Sequence, residues 1–218
     1  MAALNVVPLS ALLQSAYENK KFSDKKSAEQ AVEELLIEFK SKNFSGSDSQ
    51  HDVESFLHKK AIAYDKQGLS KTHLIFTSYK NEQVLVGYFA IANQPLVFTP
   101  RMLKKFSNTQ ISKLKQKGKN LTSDSRVSNL IISAFLIGQI GKNFSENAIN
   151  ANAISGTQIL TLAYEAIQEA QLIAGGSYVW IEYEDIDKLR TLYSKFGFNE
   201  VKDYTSENGL KLAFMKIS

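Results

Sequence analysis

The stretch from Leu130 to Ile140 constrains the fold more than any other part of the sequence, because it is almost continuously apolar. A run of this length and composition is typical of a strand that is buried on both faces of a sheet. Such a strand needs other strands at its edges and helices over its faces. The sequence therefore predicts an α/β protein with this strand near the centre of its sheet.

Amphipathic helices and shorter strands flank this run. Before it, the apolar spacing predicts helices at Leu9 to Tyr17, Ala28 to Phe39 and Val53 to Tyr64, a hairpin of His73 to Tyr79 with Val84 to Ile91, and a helix at Met102 to Lys117. After it, the pattern predicts a helix at Ser155 to Leu172, a strand at Ser177 to Tyr183, a helix at Asp185 to Lys195, and two final strands at Glu200 to Tyr204 and Leu210 to Ile217. Ser27 and Gln30 are spaced as a capping box for the second helix. The absence of any linker or repeat predicts one domain, residues 1–218, with residues 1–43 as a helical N-terminal extension.

The residue types present exclude several kinds of chemistry. The chain has no cysteine and only three histidines, His51, His58 and His73. Disulfides, thiolate metal sites and cysteine nucleophiles are therefore excluded, and the scattered histidines are assigned no metal role. No run approaches the roughly 18 apolar residues of a membrane span, and the first residues lack the pattern of a secretory signal. A cytoplasmic protein without a membrane span is predicted.

Basic residues are concentrated in the segment Arg101 to Arg126, which holds eight lysines and arginines against one acid, Asp124. The net charge of the whole chain is only +4, so the rest of the sequence is slightly acidic. One interpretation is a track for the phosphates of tRNA, and the other is a solvated surface; both stay open. The alternation of lysine at 113, 115, 117 and 119 favours an exposed loop or a short edge strand in which charge opposes aggregation.

The segment Ser155, Gly156 and Thr157 opens the predicted long helix. Unpaired N–H groups in the first turn and the helix dipole attract anions, and glycine lets a phosphate approach the backbone. The segment would suit a pyrophosphate. The same three residues are also a common helix cap, so an ordinary N-cap is the alternative.

The order of elements and two strings of residues resemble the GNAT family of acetyl-CoA-dependent N-acetyltransferases. The strings are Gly156-Thr157-Gln158-Ile159-Leu160 and Leu192-Tyr193-Ser194-Lys195-Phe196-Gly197-Phe198. Upstream segments are similar to the toxin-type branch of the family, which acetylates aminoacyl-tRNA; they are Asp52 to Leu57, Gly68 to His73 and Val86 to Phe89. The resemblance covers roughly residues 44 to 217.

The resemblance implies a mixed, mainly antiparallel central sheet flanked by helices and a direct acetyl transfer to a primary amine. It implies that Tyr193 is the catalytic acid that protonates the departing thiolate. Acetyl-CoA would be held by the helix start at Ser155, Gly156 and Thr157 and by backbone groups of Ile140 and Lys142. Only the last glycine of the family's phosphate loop is kept, so the cofactor site is expected to be weaker or differently shaped.

Several alternatives remain open at this level. The acceptor is either a small amine or an aminoacyl-tRNA, and the chain is alternatively a non-catalytic binding module on the same scaffold. The nearest candidate bases are Glu182, Glu184 and Asp185, but deprotonation of the amine through water is the preferred mechanism. A homodimer is also left open.

Overall fold

The computed structural model of the chain describes residues 3–42, 51–122 and 128–218. The elements of the N-terminal part are β1 (Leu4–Pro8), α1 (Leu9–Glu18), α2 (Lys25–Ile37), α3 (Asp52–Lys59), α4 (Ala61–Gln67), β2 (Lys71–Tyr79) and β3 (Glu82–Ala92). They are followed by β4 (Leu96–Phe98), α5 (Pro100–Leu103), α6 (Asn108–Lys115), β5 (Gly118–Asn120), β6 (Leu130–Ile132) and β7 (Ala134–Lys142). The last elements are α7 (Glu146–Ala151), α8 (Gly156–Ala174), β8 (Tyr178–Tyr183), α9 (Asp187–Phe196), β9 (Asn199–Glu200) and β10 (Lys211–Lys216).

Within the described residues, the strands form two sheets. The larger has seven strands in the order β1-β2-β3-β7-β8-β10-β9, and the smaller has the order β4-β6-β5. The pairs β1 with β2, β2 with β3, β8 with β10 and β9 with β10 are antiparallel, whereas β7 and β8 are parallel. The predicted α/β fold with a mixed, mainly antiparallel sheet is confirmed.

Two compact units can be distinguished by their internal contacts. The first comprises Met1–Ile91 and Gln139–Ala163, and the second comprises Ala92–Gly138 and Tyr164–Ser218. Each is built from two separate stretches of the chain. The predicted single domain with its extension at residues 1–43 stays a prediction.

The core of the first unit is formed by its helices and by strands β2 and β3. Its buried members are Leu9, Leu13, Val32, Leu36, Phe39, Phe56, Leu57, Ala61, Leu74, Phe76, Leu85, Tyr88 and Ala90. The chain before residue 40 supplies five of these side chains, so the region outside the family resemblance contributes to this core. Strand β1 was not predicted; its five residues pair with β2 from Leu4 opposite Thr77 to Pro8 opposite His73.

The core of the second unit lies beneath the smaller sheet. It contains Leu96, Phe98, Met102, Leu103, Leu114, Leu130, Ile132, Ala134, Tyr178, Trp180, Val201, Leu212 and Phe214. Alternation along a strand directs every second side chain to this core and the others outward. Trp180 is additionally fixed by its indole N–H, which donates to the carbonyl of Gln94 at 3.0 Å.

Two predicted elements are each divided in the structure. The apolar run Leu130 to Ile140 was wrong as one strand, because the chain leaves the smaller sheet after β6 and enters the larger one at β7, with the exposed Ser133 between them. The helix predicted from Met102 to Lys117 is also two helices, since the first ends at Leu103 and Ser107 caps the second by accepting from the N–H of Gln110. A continuous apolar pattern does not reveal such a break.

One local prediction needs correction. The capping box of α2 is formed by Asp24 and Ser27 rather than by Ser27 and Gln30, because Asp24 accepts from the N–H of Ser27 at 2.8 Å. The carboxylate one turn earlier is the stronger acceptor. The polar stretch after Asn143 contains the short helix α7, whose Ala148 is buried.

Candidate active site

The start of α8 is organised by a reciprocal cap. The Ser155 hydroxyl accepts from the N–H of Gln158 at 3.3 Å, and the Gln158 side-chain oxygen accepts from the N–H of Ser155 at 2.9 Å. The same oxygen also accepts from the Ser155 hydroxyl at 2.9 Å. The ordinary N-cap interpretation of this segment is therefore correct as far as Ser155 and Gln158 are concerned.

The cap leaves two backbone donors of the first turn available. Within the described part of the chain, no hydrogen bond is formed by the N–H groups of Gly156 and Thr157. Thr157 is exposed and Gly156 is half-buried. These two groups point outward from the positive end of a 19-residue helix. They could donate to the oxygens of a phosphate.

The end of β7 is fixed by the buried side chain of Asn143. Its oxygen accepts from the backbone N–H of Lys40 at 3.0 Å and of Ser145 at 2.8 Å, and its amide donates to the carbonyl of Leu85 at 2.7 Å. Its own N–H donates to the carbonyl of Val86. These four hydrogen bonds all lie inside the first unit and hold the end of β7 in place.

Gly141 lies between the two residues predicted to hold the cofactor arm, Ile140 and Lys142. A Cβ atom at Gly141 would lie 2.5 Å from Cγ1 of Val53 and 3.0 Å from Cζ of Phe39. Only glycine permits this approach of β7 to α3. Ile140 and Lys142 are half-buried, and the ammonium of Lys142 lies 5.9 Å from the ring centre of Phe144.

Strands β7 and β8 pair over a short length only. The parallel register runs from Ala134 opposite Tyr178 to Leu136 opposite Trp180 and ends there among the described residues. Strand β8 nevertheless continues to Tyr183. In the second unit, the backbone beyond Trp180 is therefore not paired with β7, so a ligand group could hydrogen-bond to it at this point.

Tyr193 lies on α9 and is almost fully buried, with 4% of its surface exposed. Its ring packs against Tyr183 at 4.9 Å between centroids and against Phe198 at 5.9 Å. Within the described residues its hydroxyl forms no hydrogen bond. Burial raises the pKa of Tyr193 well above that of a free tyrosine, so the hydroxyl stays protonated at neutral pH.

A network that the sequence did not predict holds α9 beside β8. The Tyr183 hydroxyl donates to Glu200 at 2.5 Å, and the guanidinium of Arg190 donates to the same carboxylate oxygen at 3.2 Å. Burial, together with the hydrogen bond to Glu200, raises the pKa of Tyr183 far above its usual value. Because the ring of Tyr183 contacts Tyr193, this network positions the predicted acid.

The three candidate carboxylates have different surroundings. Asp185 forms ion pairs with Arg190 and, at 3.5 Å, with Lys211. Glu184 lies beyond the last residue of β8. Glu182 is half-buried on β8, opposite Leu212 in the register with β10.

The described part of the basic segment lies in the second unit. The cationic side chains of Arg101, Lys104, Lys105, Lys113, Lys115, Lys117 and Lys119 are all exposed. Of these, within the described residues, only Lys105 forms an ion pair, with Asp203 at 3.6 Å. Asp124 and Arg126 lie outside the described residues. The prediction of an exposed loop or a short charged edge strand is confirmed for Lys119, which lies on β5 at the edge of the smaller sheet, but is wrong for Lys113 and Lys115, which lie on α6.

Two of these lysines line a groove on the smaller sheet. The groove has a volume of about 450 Å³ and is lined by Asn93, Pro95, Lys117, Lys119, Asn120, Ile131 and Ser133. No helix among the described residues is long and apolar enough to cross a membrane. Likewise, residues 3–42, 51–122 and 128–218 contain no group of three or more potential side-chain metal ligands.

Comparison of whole structures relates this arrangement to known proteins. The toxin AtaT in complex with acetyl-methionyl-tRNAfMet matches with a TM-score of 0.59 and 14% identity, over 98% of this chain and 95% of AtaT. AtaTR bound with acetyl-CoA matches with a TM-score of 0.53 and 13% identity, over 98% and 93% of the two chains. The chain has the GNAT fold.

A tyrosine-to-phenylalanine mutant of KacT has the same GNAT fold and matches with a TM-score of 0.59 and 14% identity, over 98% of this chain and 95% of that one. By sequence, no protein-family model and no curated protein matches. The predicted GNAT resemblance is thus confirmed at the level of the fold. The roles of Tyr193, Ile140, Lys142, Ser155, Gly156 and Thr157 stay predictions.

Proposed function

We propose that this protein is an N-acetyltransferase that moves the acetyl group of acetyl-CoA to a primary amine. The observation that carries the proposal is the start of α8, where the N–H groups of Gly156 and Thr157 are left without an acceptor. This helix start belongs to a fold that is also found in AtaTR, and AtaTR has been crystallised with acetyl-CoA. The pyrophosphate of acetyl-CoA would bind these donors.

The chemistry assigns one step to Tyr193. The amine nitrogen attacks the carbonyl carbon of the thioester, a C–N bond forms, and the C–S bond breaks with the electron pair on sulfur. The Tyr193 hydroxyl donates its proton to this thiolate. The hydroxyl is protonated at neutral pH and forms no hydrogen bond within the described residues, so its proton is available for the thiolate.

The first experiment is a thermal-shift titration with acetyl-CoA, with CoA as a second ligand and ATP as a control. A ligand that binds only the folded state stabilises it by about RT ln(1 + [L]/Kd), which is about 2.7 kcal/mol at 100 times Kd. A saturable rise with acetyl-CoA and CoA, but not with ATP, supports the proposal. No rise would contradict it and favour a non-catalytic binding module.

The second experiment compares Tyr193→Phe with Tyr178→Phe, because both tyrosines are buried and neither hydroxyl has a hydrogen bond in the described structure. Tyr193→Phe is expected to lower kcat about 100-fold while the affinity for acetyl-CoA stays within twofold. Tyr178→Phe is expected to keep kcat within threefold. Equal activity of the two variants would remove Tyr193 from catalysis.

An aminoacyl-tRNA is the acceptor that one further observation favours. Among the described residues, Lys105 is the one cation of the basic segment that has an anionic partner, whereas Lys117 and Lys119, which line the groove of the second unit, have none. AtaT has been solved with an acetylated methionyl-tRNA. We therefore propose methionyl-tRNA as the first macromolecular acceptor to assay, with methioninamide as the small-amine comparison.

A further inference from the structure

Strand β3 contains a β-bulge beside the end of β7. In the pairing of β2 with β3, Ile75 lies opposite Gly87. The next pair is Phe76 and Leu85, so Val86 is one extra residue on β3. A bulge interrupts the regular hydrogen-bond ladder of a strand. Because Leu85 and Val86 are both buried, their carbonyl groups need partners inside the protein rather than water.

Asn143 provides a partner for both carbonyl groups. Its backbone N–H donates to the carbonyl of Val86 at 2.9 Å, and its side-chain amide donates to the carbonyl of Leu85 at 2.7 Å. One residue at the end of β7 therefore satisfies two consecutive carbonyls of β3. For the second of them, a side-chain amide takes the place of a backbone N–H. Only 1% of the surface of Asn143 is exposed, so these bonds are shielded from water.

The side-chain oxygen of Asn143 joins two further segments to this point. It accepts from the backbone N–H of Lys40 at 3.0 Å and from that of Ser145 at 2.8 Å. The carbonyl of Lys40 accepts in turn from the N–H of Phe144 at 2.7 Å. Lys40 belongs to residues 1–43, which precede the part of the chain that resembles the family. The end of β7 is therefore hydrogen-bonded both to β3 and to the N-terminal part of the chain.

This turn lies between the two parts of the candidate acetyl-CoA site. Lys142 directly precedes Asn143, and Ser145 is the residue before α7. The donors of Gly156 and Thr157 follow α7 at the start of α8. All of these residues belong to the first unit. The four bonds of Asn143 therefore determine where β7 ends and how the chain enters the segment that leads to α8.

We propose that Asn143 is a positioning residue for acetyl-CoA. It sets the end of β7 relative to the start of α8, so that backbone groups at Lys142 and the donors of Gly156 and Thr157 bind the same molecule. Asn143 contacts no reacting atom in this role, because its polar groups are all bonded to the protein. The inference rests on the proposed N-acetyltransferase activity and adds a residue that the sequence did not indicate.

The test compares acetyl-CoA binding by the full-length wild type and by Asn143→Asp, using calorimetry. The variant keeps an oxygen that can accept from the N–H groups of Lys40 and Ser145. It places a second oxygen, instead of an N–H donor, against the carbonyl of Leu85. The dissociation constant for acetyl-CoA is expected to rise about 10-fold, because a shift of about 1 Å in a binding group has effects of at least this size.

Two control variants separate positioning from other effects. Asn147→Asp makes the same chemical change at an exposed position of α7. Asp65→Ala removes a buried carboxylate that accepts from the Lys71 ammonium at 2.8 Å and from the N–H of Thr72 at 3.1 Å, so it destabilises the same unit at the start of β2. Both controls are expected to bind acetyl-CoA within twofold of the wild type.

A kinetic measurement adds a readout that a loss of stability alone would not change. With methioninamide as the acceptor, Asn143→Asp is expected to raise the KM for acetyl-CoA about 10-fold and to keep kcat within threefold. The value of kcat is retained because Tyr193 lies in the second unit. If Asn143→Asp fails to fold, Asn143→Ser takes its place; its shorter side chain withdraws the donor without adding a charge, and the same rise in the dissociation constant is expected.

Three results would overturn the inference and leave the proposed transferase intact. They are a dissociation constant of the Asn143 variant within threefold of the wild type, an equal loss of affinity in Asp65→Ala, and a lower kcat with an unchanged KM for acetyl-CoA. A wild type that does not bind acetyl-CoA would refute the proposed function and this inference together.

Discussion

Substituting Gly141 by alanine tests how closely β7 must approach α3. The added methyl group would lie 2.5 Å from Cγ1 of Val53, 3.0 Å from Cζ of Phe39 and 3.3 Å from Cε1 of Tyr88. Carbon atoms in favourable contact are about 3.5–4.0 Å apart, so Val53 would have to move by about 1 Å. Phe39 and Tyr88 are fully buried and already packed edge to face at 5.1 Å, which leaves them little room.

Overpacking of this kind costs about 1–3 kcal/mol of unfolding free energy. For a chain of this size, each kcal/mol lowers Tm by about 2–4 °C. The assay is urea unfolding of Gly141→Ala followed by far-UV circular dichroism. Since Ile140 and Lys142 flank the substituted residue, weaker stabilisation by acetyl-CoA is expected as well.

A double-mutant cycle with Val53→Ala checks the stated cause. Val53→Ala removes the closest atom, so the double variant should be more stable than the sum of the two single effects by about 1–2 kcal/mol. Gly141→Ala with unchanged stability, or a cycle with no coupling, would show that β7 and α3 are not held at this distance.

Three further outcomes are expected. Asn143→Ala leaves two backbone N–H groups and one carbonyl group without partners. The unfolding free energy measured by urea titration should therefore fall by about 3 kcal/mol. A loss below about 1 kcal/mol would contradict the hydrogen-bonding scheme. Glu182→Gln should raise Tm at pH 7 and leave it unchanged below about pH 4, because burial raises the folded pKa of this carboxyl and such a group destabilises the fold only when it is ionised; a lower Tm at pH 7 would refute its lack of partners among the described residues. For tRNA binding, the plot of log binding constant against log salt concentration should become less steep by about 1.4–1.8 in the double variant Lys117→Ala, Lys119→Ala. The control double variant Lys20→Ala, Lys21→Ala should leave this slope unchanged. Equal slopes for the two double variants would exclude the groove as the phosphate-binding surface.

Features set by neighbouring residues were predictable from the sequence. Gly68 and Gly197 are the C-caps of α4 and α9, and both adopt left-handed backbone angles, with φ of 72° and 116°. Gly209, in the turn before β10, has φ of 79°. Glycine alone adopts such angles without strain, so the requirement is visible in the residue itself.

Features set by distant residues were not predictable. Ser133 separates two strands that belong to different sheets, but apolar residues on both sides of it look the same whichever partner they pair with. Strand β1 forms only because residues about 70 positions later provide its partner.

In the candidate site, too, local features were predictable from the sequence and long-range features were not. The cap at Ser155 and the aromatic environment of Tyr193 follow from local spacing on a helix. The bond from Tyr183 to Glu200, and the lack of any partner for Glu182 in the described structure, depend on where β9 and β10 pair. Sequence spacing therefore predicted the local surroundings of the candidate groups, whereas tertiary structure determines which carboxylate lacks a partner among the described residues.

The division of each unit into two stretches of sequence has a consequence for synthesis on the ribosome. The first unit lacks Gln139–Ala163 until those residues have emerged, and the second lacks Tyr164–Ser218 until those residues have followed. No contiguous fragment contains one unit alone, so truncated proteins would always carry an unfinished unit with exposed apolar surface. During translation, the apolar residues of α1 and α2 therefore stay exposed until the later residues of the first unit have been synthesised. Slow elongation between residues 92 and 138 would prolong the period in which a chaperone could bind these apolar residues.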